Sequence, residues 1–227
     1  MPLVCFKNVS KAYNGSLILD NITFEVRSGE FVSLVGRSGV GKTTILKMLI
    51  KEEPPTKGRI FFNDKDINKF KPSEVTFLRR KIGMVFQDFR LLANRTAYEN
   101  VAFAMEVAGY SEQAIKKDAP ELLKLVNLEG KANNFPHQLS AGEKQRVVIC
   151  RVLAQRPELI LADEPTGDLD PINTWEIIKL LMKINELGTA IILATHDKEV
   201  INTLGQRVIS LDKGKIIRDE EEGKYLI

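Results

Sequence analysis

A glycine-rich turn near the start of the chain lies between an apolar run, FVSLV at positions 31–35, and a helix-forming segment. Glycine has no Cβ, so the backbone of such a turn can curl around an anion with successive N–H groups pointing inward. The following helix adds the positive end of its dipole, Lys42 a point charge for the β- and γ-phosphates, and Thr43 a hydroxyl for Mg²⁺. We predict a phosphate-binding loop, the alternative being a structural strand-to-helix turn without a ligand. Its residues are Gly36, Arg37, Ser38, Gly39, Val40, Gly41, Lys42, Thr43 and Thr44.

Two acidic residues, Asp163 and Glu164, come directly after another apolar run, LILA at positions 159–162. Hydrolysis of a bound nucleotide needs an acid that helps to hold a metal ion and a group that orients water. We assign Asp163 to a Mg²⁺ site, where it accepts from metal-bound water, and Glu164 to the general base that polarises the attacking water. In isolation, the same pair would be read as two acids that cap a strand.

Three further side chains are candidates for contacts with a nucleotide. His196 follows an apolar run and is placed to reach the γ-phosphate, although a lone polar histidine is more often structural. Gln87 ends a strand-like segment, and its amide is suited to ligating Mg²⁺ or to sensing the γ-phosphate. Tyr13 is a candidate for stacking on an adenine ring.

The run LSAGEKQRV at positions 139–147 contains Ser140 and, three residues later, Glu143. This spacing is that of a capping box, so we predict a helix that begins here with exposed N–H groups and a positive dipole end. A second anion site in a chain that needs one phosphate-binding loop suggests that it binds the γ-phosphate held by another copy of the protein. The alternative is a well-capped structural helix.

The composition of the 227 residues, 44% hydrophobic and 28% charged, is that of a soluble globular protein. A net charge of +3, spread along the chain, does not resemble the concentrated basic face of a nucleic-acid-binding protein, so no direct nucleic-acid partner is expected. The densest basic cluster, Lys69, Lys71, Arg79, Arg80 and Lys81, is interrupted by Glu74. We expect a solvated face there, with contact to anionic lipid or a partner as the alternative.

Cysteine usage and hydropathy indicate the cell compartment in which the protein is expected. Cys5 and Cys150 are far apart in no metal-binding spacing, which predicts a reducing, cytoplasmic environment. The amino terminus has no signal-peptide pattern and no apolar run approaches 18 residues, so any link to a membrane is expected to come through another protein.

The pattern of apolar runs predicts an α/β protein with a mainly parallel sheet, N-terminal antiparallel strands and an inserted helical subdomain. We expect one domain over residues 1–227, with an α/β core formed by 1–87 and 158–227 and a helical subdomain at 88–157. Strands are predicted at 3–9, 17–26, 31–35, 58–63, 81–86, 158–162, 189–194, 207–211 and 215–218, and helices from 41, at 73–80, 97–107, 112–126 and 173–187, with another beginning at the capping box. Ligand chemistry is expected at the carboxyl ends of the parallel strands.

The motifs, in this order, resemble those of the ATP-binding cassette (ABC) ATPases over essentially the whole chain. They are the aromatic Tyr13, the Walker A loop at 36–44, the Q-loop Gln87, the signature LSAGE at 139–143, Walker B LILADE at 159–164, the D-loop GDLD at 167–170 and the switch His196. The resemblance implies a P-loop NTPase that uses ATP and Mg²⁺. It also implies an ATP-dependent head-to-tail homodimer in which each ATP contacts one copy's Walker A loop and the other's signature. Ser140, Gly142, Glu143 and Asp168 thereby become nucleotide-site residues, while Ala141 departs from the usual glycine.

Within the family, residues 78–109 and 134–140 are most similar to the bacterial cell-division group, the FtsE cassettes. That resemblance implies an ATPase, peripheral on the inner face of the plasma membrane, that drives an FtsX-like integral membrane protein to regulate septal peptidoglycan hydrolysis. It places Phe89, Arg90, Leu91 and Leu92 in a groove for a cytoplasmic helix of that partner, subdomain core being the alternative, and adds division proteins such as FtsZ as partners. The alternative function is the motor of a lipoprotein-release or macrolide or peptide exporter. A soluble cassette acting on DNA or ribosomes is disfavoured because paired cassettes and coiled-coil insertions are missing.

Overall fold

The computed structural model describes residues 1–225, which form two β-sheets and seven α-helices. The smaller sheet is antiparallel, with strand order β2-β1-β4-β5. It consists of β1 (Val4–Tyr13), β2 (Ser16–Val26), β4 (Lys57–Phe62) and β5 (Lys65–Asp66). Asn14 and Gly15, both at positive φ, close the β1–β2 hairpin. The predicted N-terminal antiparallel strands are thus confirmed.

The larger sheet has the order β10-β9-β3-β8-β7-β6. Its members are β3 (Phe31–Val35), β6 (Ile82–Val85), β7 (Leu159–Asp163), β8 (Ala190–Thr195), β9 (Arg207–Asp212) and β10 (Lys215–Glu220). All neighbours are parallel except β10 and β9. Strands β3 and β8 are buried along their whole length, because helices or the smaller sheet cover both faces.

The helices are α1 (Lys42–Leu49), α2 (Pro72–Lys81), α3 (Ala97–Ala108), α4 (Glu112–Leu125), α5 (Ala141–Leu153), α6 (Pro171–Glu186) and α7 (Lys198–Leu204). Side-chain caps fix several starts: Thr96 and Ser140 each form a capping box, and Ser111, Asp170 and Asp197 each accept from backbone N–H groups of the first turn. Among residues 1–225, no helix is both long and apolar enough to cross a bilayer.

The three largest apolar clusters among residues 1–225 hold these layers together. One lies between the two sheets around α1, and a second covers the other face of the larger sheet beneath α5, α6 and α7. A third lies within the helical segment, where α3, α4 and α5 pack on one another through residues such as Val101, Leu123 and Val147. The α/β class with a mainly parallel sheet and a helical insertion is therefore as predicted, while the exact subdomain limits at 88 and 157 stay a prediction.

Three elements differ from the sequence-based expectation, the first being the two-residue strand β5, which was not predicted. Helix α1, expected to run towards Pro54, ends at Leu49, and its C-cap is Ile50. Helix α7 was not predicted, because its seven residues are too few to show a periodic pattern. The signal for α7 was Asp197, whose Oδ1 accepts from the N–H groups of Glu199 and Val200.

Candidate functional site

The glycine-rich turn connects the carboxyl end of β3 to the first residue of α1. Gly41 has φ 111°, and a Cβ there would stand 2.5 Å from Leu19 Cδ2 on β2. Gly36 has φ 156°, and a Cβ there would stand 2.7 Å from the carbonyl oxygen of Leu211 on β9. Both positions therefore require glycine for conformation and for space. The turn forms the cradle that the sequence predicted, with Arg37 and Ser38 exposed at its tip.

Lys42 lies inside this cradle. Its side chain is 6% exposed, and its Nζ donates to the carbonyl oxygen of Gly36 at 2.8 Å. The same ammonium is 3.6 Å from Oε1 of Glu164. The backbone of the loop thus holds a cation at its centre, where a phosphate oxygen would be stabilised by charge and by N–H groups together.

Thr43 and Asp163 bring the cradle and the end of β7 together. The Thr43 hydroxyl donates to Asp163 Oδ1 at 3.0 Å. Burial raises the pKa of the Asp163 carboxyl above its usual value, and the hydrogen bond from Thr43 acts against that rise. A hydroxyl and a carboxylate side by side are hard oxygen ligands of the kind Mg²⁺ prefers. Among residues 1–225, no three His, Cys, Asp or Glu side chains form a metal cluster.

Glu164 and His196 face each other across the ends of β7 and β8. His196 Nδ1 is 2.8 Å from Glu164 Oε1, the oxygen that also faces Lys42. Glu164 has φ 46°, an uncommon conformation for a residue with a side chain, and its N–H donates to the carbonyl oxygen of Ala194 at 2.8 Å. The strained backbone and the shared oxygen hold the carboxylate in one orientation, as expected of a reacting group.

Gln87 lies beyond the end of β6, next to the D-loop. Its Nε2 donates to Asp168 Oδ1 at 3.3 Å, and a Cβ at Gly167 would come within 3.0 Å of the same nitrogen. In this arrangement the partner of Gln87 is Asp168, not Thr43 or Asp163. The roles assigned to Gln87 and Asp168 at the nucleotide stay predictions.

Tyr13 ends β1, with its side chain 37% exposed. The ammonium of Lys11 lies 4.6 Å from the centroid of its ring, a cation–π contact. The position of Lys11 is fixed in turn, because its Nζ donates to Glu53 Oε2 at 2.9 Å. The ring of Tyr13 is thereby oriented, and its predicted stacking on adenine is not tested by these contacts.

The signature forms the start of α5. Ser140 Oγ accepts from the Glu143 N–H at 3.2 Å, and Glu143 Oε2 accepts from the Ser140 N–H at 2.8 Å, so the predicted capping box is confirmed. The Ser140 N–H also holds the pKa of Glu143 below its usual value, with Lys131 Nζ at 3.4 Å from the carboxylate. Within residues 1–225, no hydrogen bond or ion pair joins this helix end to the cradle.

Two side chains on α5 that were not singled out from the sequence connect it to the Q-loop. Gln145 is fully buried, and its Nε2 lies 3.5 Å from the carbonyl oxygen of Phe86, while its Oε1 has no partner among the described residues. Arg151 Nη1 donates to the carbonyl oxygen of Arg90 at 2.6 Å. The residues on both sides of Gln87 are thus attached to the signature helix. The available signal was a glutamine on the apolar face of α5.

A strand-to-helix phosphate cradle with a lysine at its centre and acids at the neighbouring strand end defines a P-loop nucleotide-binding protein. Comparisons with known proteins narrow this class. The model of the ABC transporter family matches residues 19–167. The chain is 51% identical to the cell division ATP-binding protein FtsE of Bacillus subtilis, over 98% of both chains. It is 45% identical to FtsE of Mycobacterium tuberculosis, again over 98% of both.

A solved structure is similar to the whole fold. It is a dimeric, post-hydrolysis state of the ATP-binding cassette MJ0796 bound to ADP and Pi, with TM-score 0.87 and 39% identity, covering 98% of this chain and 100% of that one. The chain therefore belongs to the ABC transporter ATPase family, as its motifs predicted. It is an ATP-hydrolysing enzyme of that type.

Proposed function

We propose that this protein is the ATPase subunit of a cell-division complex, in which it dimerises on ATP and drives conformational change in an FtsX-like integral membrane protein to regulate septal peptidoglycan hydrolysis. The observation that carries the proposal is the 51% identity with a cell-division FtsE over 98% of both chains. The site geometry adds an ATP-hydrolysing centre at one edge of the larger sheet. Contact with FtsZ stays a prediction.

The cradle and α1 bind the triphosphate in this proposal. The N–H groups of residues 36–44 and the ammonium of Lys42 hold the β- and γ-phosphates, and Lys42 exchanges its 3.6 Å contact with Glu164 for phosphate oxygens. Thr43 and Asp163 would hold Mg²⁺, which supplies charge neutralisation at the phosphates when bound. Tyr13 stacks on the adenine ring.

Glu164 accepts the proton of the attacking water. His196 contacts its Oε1, so Oε2 is the oxygen that we assign to the water. His196 donates from Nδ1 to Glu164 and fixes the carboxylate in place. A further bond from its Nε2 to the γ-phosphate requires the imidazolium form, because the neutral ring has one N–H. Gln87 and Asp168 transmit the presence of bound nucleotide to the rest of the chain.

A second copy completes the site. Among residues 1–225, no hydrogen bond joins the N–H groups at the capped start of α5 to the cradle, and the positive end of the helix dipole favours an anion there. We assign Ser140, Gly142 and Glu143 to the γ-phosphate held by the other copy. The dimeric MJ0796 structure is the precedent for two cassettes with bound product.

The partner groove is a cleft of about 570 Å³ between β6 and the helical segment. Phe89 and Arg90 line it, together with Phe86 and Arg151. Leu91 instead packs against the second and third apolar clusters. We propose that this cleft receives a cytoplasmic helix of the membrane partner. Within the segment predicted to dock the partner, Phe89 and Arg90 thus form part of the groove wall, whereas Leu91 is part of the apolar core.

The substitution Glu164→Gln tests the mechanism. It removes the base and keeps the shape of the side chain, so turnover should fall by about two to four orders of magnitude while ATP binding is retained. The variant should elute as a dimer in Mg-ATP on size exclusion. Glu199→Gln, at an exposed acid near the same strand end, is the matched control and should remain active. A Glu164→Gln protein that stays monomeric in excess Mg-ATP contradicts the sandwich.

The cellular assignment is tested separately by affinity purification of the membrane partner from native membranes. Recovery of an FtsX-like protein, and stimulation of a wall hydrolase by ATP turnover in the reconstituted pair, is the expected result. Recovery of a permease that moves a lipoprotein or a peptide would replace the proposal by the exporter alternative. Full-speed hydrolysis by the isolated chain would argue against gating by the partner.

A further inference from the structure

Residues 65–81 carry an unusual share of the positive charge. They contain six basic and two acidic residues, an excess of four, whereas the whole chain has a net charge of +3. The mechanism uses none of them. Most of this segment is β5 and α2, at the outer edge of the smaller sheet.

Next to α2 there is an aromatic groove of about 450 Å³. Phe62 and Phe70 line it, and Phe77 on α2 stands over it with 60% of its surface exposed. Lys65 and Lys81 lie on the same rim, and Lys81 Nζ is 5.8 Å from the centroid of the Phe77 ring. A large apolar side chain is therefore presented to solvent among cations, on a helix that buries only Leu78.

Acidic side chains at this rim are already engaged. Glu158 pairs with Lys81 at 2.9 Å, and Glu74 accepts from the N–H of Lys71 at 2.8 Å at the start of α2. Lys65, Lys71 and Arg80 are exposed and take part in no ion pair among residues 1–225. These three cations stand against the single carboxylate of Glu74, which has no cation partner among the described residues, so the net charge of the face is positive.

Arg79 fixes α2 beside the proposed partner groove. Its Nε donates to the carbonyl oxygen of Ile50 at 2.9 Å, which attaches α2 to the end of α1. Arg79 and Ile82 also line the cleft that we assign to the membrane partner, so α2 separates that cleft from the aromatic groove. A membrane protein seated in the cleft would hold this face beside the bilayer.

We propose that the α2 face, defined as Lys65, Lys71, Phe77, Arg80 and Lys81, binds the headgroups of anionic phospholipids directly. Clusters of basic residues on a short helix are attracted to a negative leaflet, and an aromatic side chain among them enters the boundary between headgroups and acyl chains. The exposed phenylalanine over an apolar groove favours a lipid surface over a nucleic acid. The argument that a membrane partner holds this face beside the bilayer rests on the proposed function. The positive charge of the face and the exposure of the Phe77 ring do not depend on that function.

The test is flotation of the purified full chain with vesicles, without nucleotide or partner, so it does not depend on whether the cell-division proposal holds. Vesicles of phosphatidylglycerol and phosphatidylcholine in equal parts should bind the protein in low salt, and pure phosphatidylcholine vesicles should not. The double substitution Lys71→Gln and Arg80→Gln removes two positive charges. It should weaken vesicle binding about 25-fold, since each basic side chain near the membrane surface contributes about fivefold. Phe77→Ser should weaken it by about tenfold.

The matched control is on α4, where Lys117→Gln, Lys124→Gln and Leu125→Ser remove the same charge and an exposed apolar side chain. It should bind within about twofold of the native chain, because surface attraction acts over about a Debye length. If the α2 variants and the α4 control lose vesicle binding equally, the effect depends only on net charge and the proposal is overturned. It is also overturned if the α2 variants bind vesicles as tightly as the native chain, or if the native chain binds neutral vesicles equally well. If the α2 substitutions abolish binding to duplex DNA and leave flotation unchanged, the face belongs to nucleic acid instead.

Discussion

The cradle at residues 36–44 and the signature end at 139–143 both present backbone N–H groups at the start of a helix, but they differ in what surrounds them. In the cradle, Lys42 contacts the carbonyl oxygen of Gly36 and pairs with Glu164, and Thr43 donates to Asp163. The signature end has its own cap, Ser140 with Glu143, and a lysine, Lys131. The cradle is assembled from several parts of the chain, whereas the signature end is a capped helix start.

The difference shows how a half-site can be stable alone. Strand ends of one sheet fix the cradle, and Lys42 is paired with Glu164 before nucleotide arrives. The capping box satisfies the signature end without using up all of its N–H groups. We expect communication between the two to run through α5, where Gln145 and Arg151 reach the residues flanking Gln87.

The largest effect is expected from Lys42→Ala, which removes the charge at the centre of the cradle. Hydrogen bonds to charged groups contribute about 1.5–3 kcal/mol each, so ATP binding should weaken at least about 100-fold. Fluorescent-nucleotide titration measures this. Lys47→Ala, on the same helix and paired with Glu52 outside the cradle at 3.5 Å, is the control and should bind normally. Normal ATP affinity in the Lys42 variant would mean that the cradle binds through its backbone alone.

Next in size is Gly142→Ala in the signature end. A Cβ at this position would clash with the side chain of Asn173 on α6, so that side chain has to rotate away or the two helices have to separate. Overpacking of this kind costs about 1–3 kcal/mol, which urea unfolding would detect. Gly130→Ala, where a Cβ meets nothing within 4 Å, should be neutral. If Asn173→Ala fails to relieve the loss in the double variant, the contact between the helices is not its cause.

Gln145→Leu tests the connection between the two regions. Leucine fills the site but cannot donate to Phe86, so Gln87 should be held less firmly and kcat should fall about tenfold, equivalent to about 1.4 kcal/mol. KM for ATP should stay unchanged, because the cradle is intact. The exposed Gln113→Leu on α4 is the control. A rise in KM with constant kcat would show that Gln145 supports the cradle rather than the coupling.

Which of these features the sequence could predict depends on how local they are. The cradle and the capping box depend on residues within a few positions, and both form as expected. The sequence placed Glu164 and His196 at strand ends of one sheet, but their contact was not predicted. Glu164 has a left-handed backbone conformation, and Gln87 pairs with Asp168. Both features depend on how the ends of β6, β7 and β8 are arranged in the larger sheet, which no local sequence pattern encodes. Gln145 was not singled out because the sequence alone does not show that its side chain lies beside the carbonyl oxygen of Phe86.

The smallest effect is expected from Ala141→Gly, which restores the residue usual in the family's signature. Ala141 is the first residue of α5, next to the Ser140 cap, where alanine fits without strain. Glycine costs at most about 1 kcal/mol of helix propensity, and less in a first turn, so turnover should change by less than about tenfold. Steady-state ATPase assays, with the native chain alongside, measure the change. A larger gain would mean that the methyl group of Ala141 keeps the helix end away from the phosphate of the other copy. The signature end would then be limited by its approach to the anion, in contrast to the cradle.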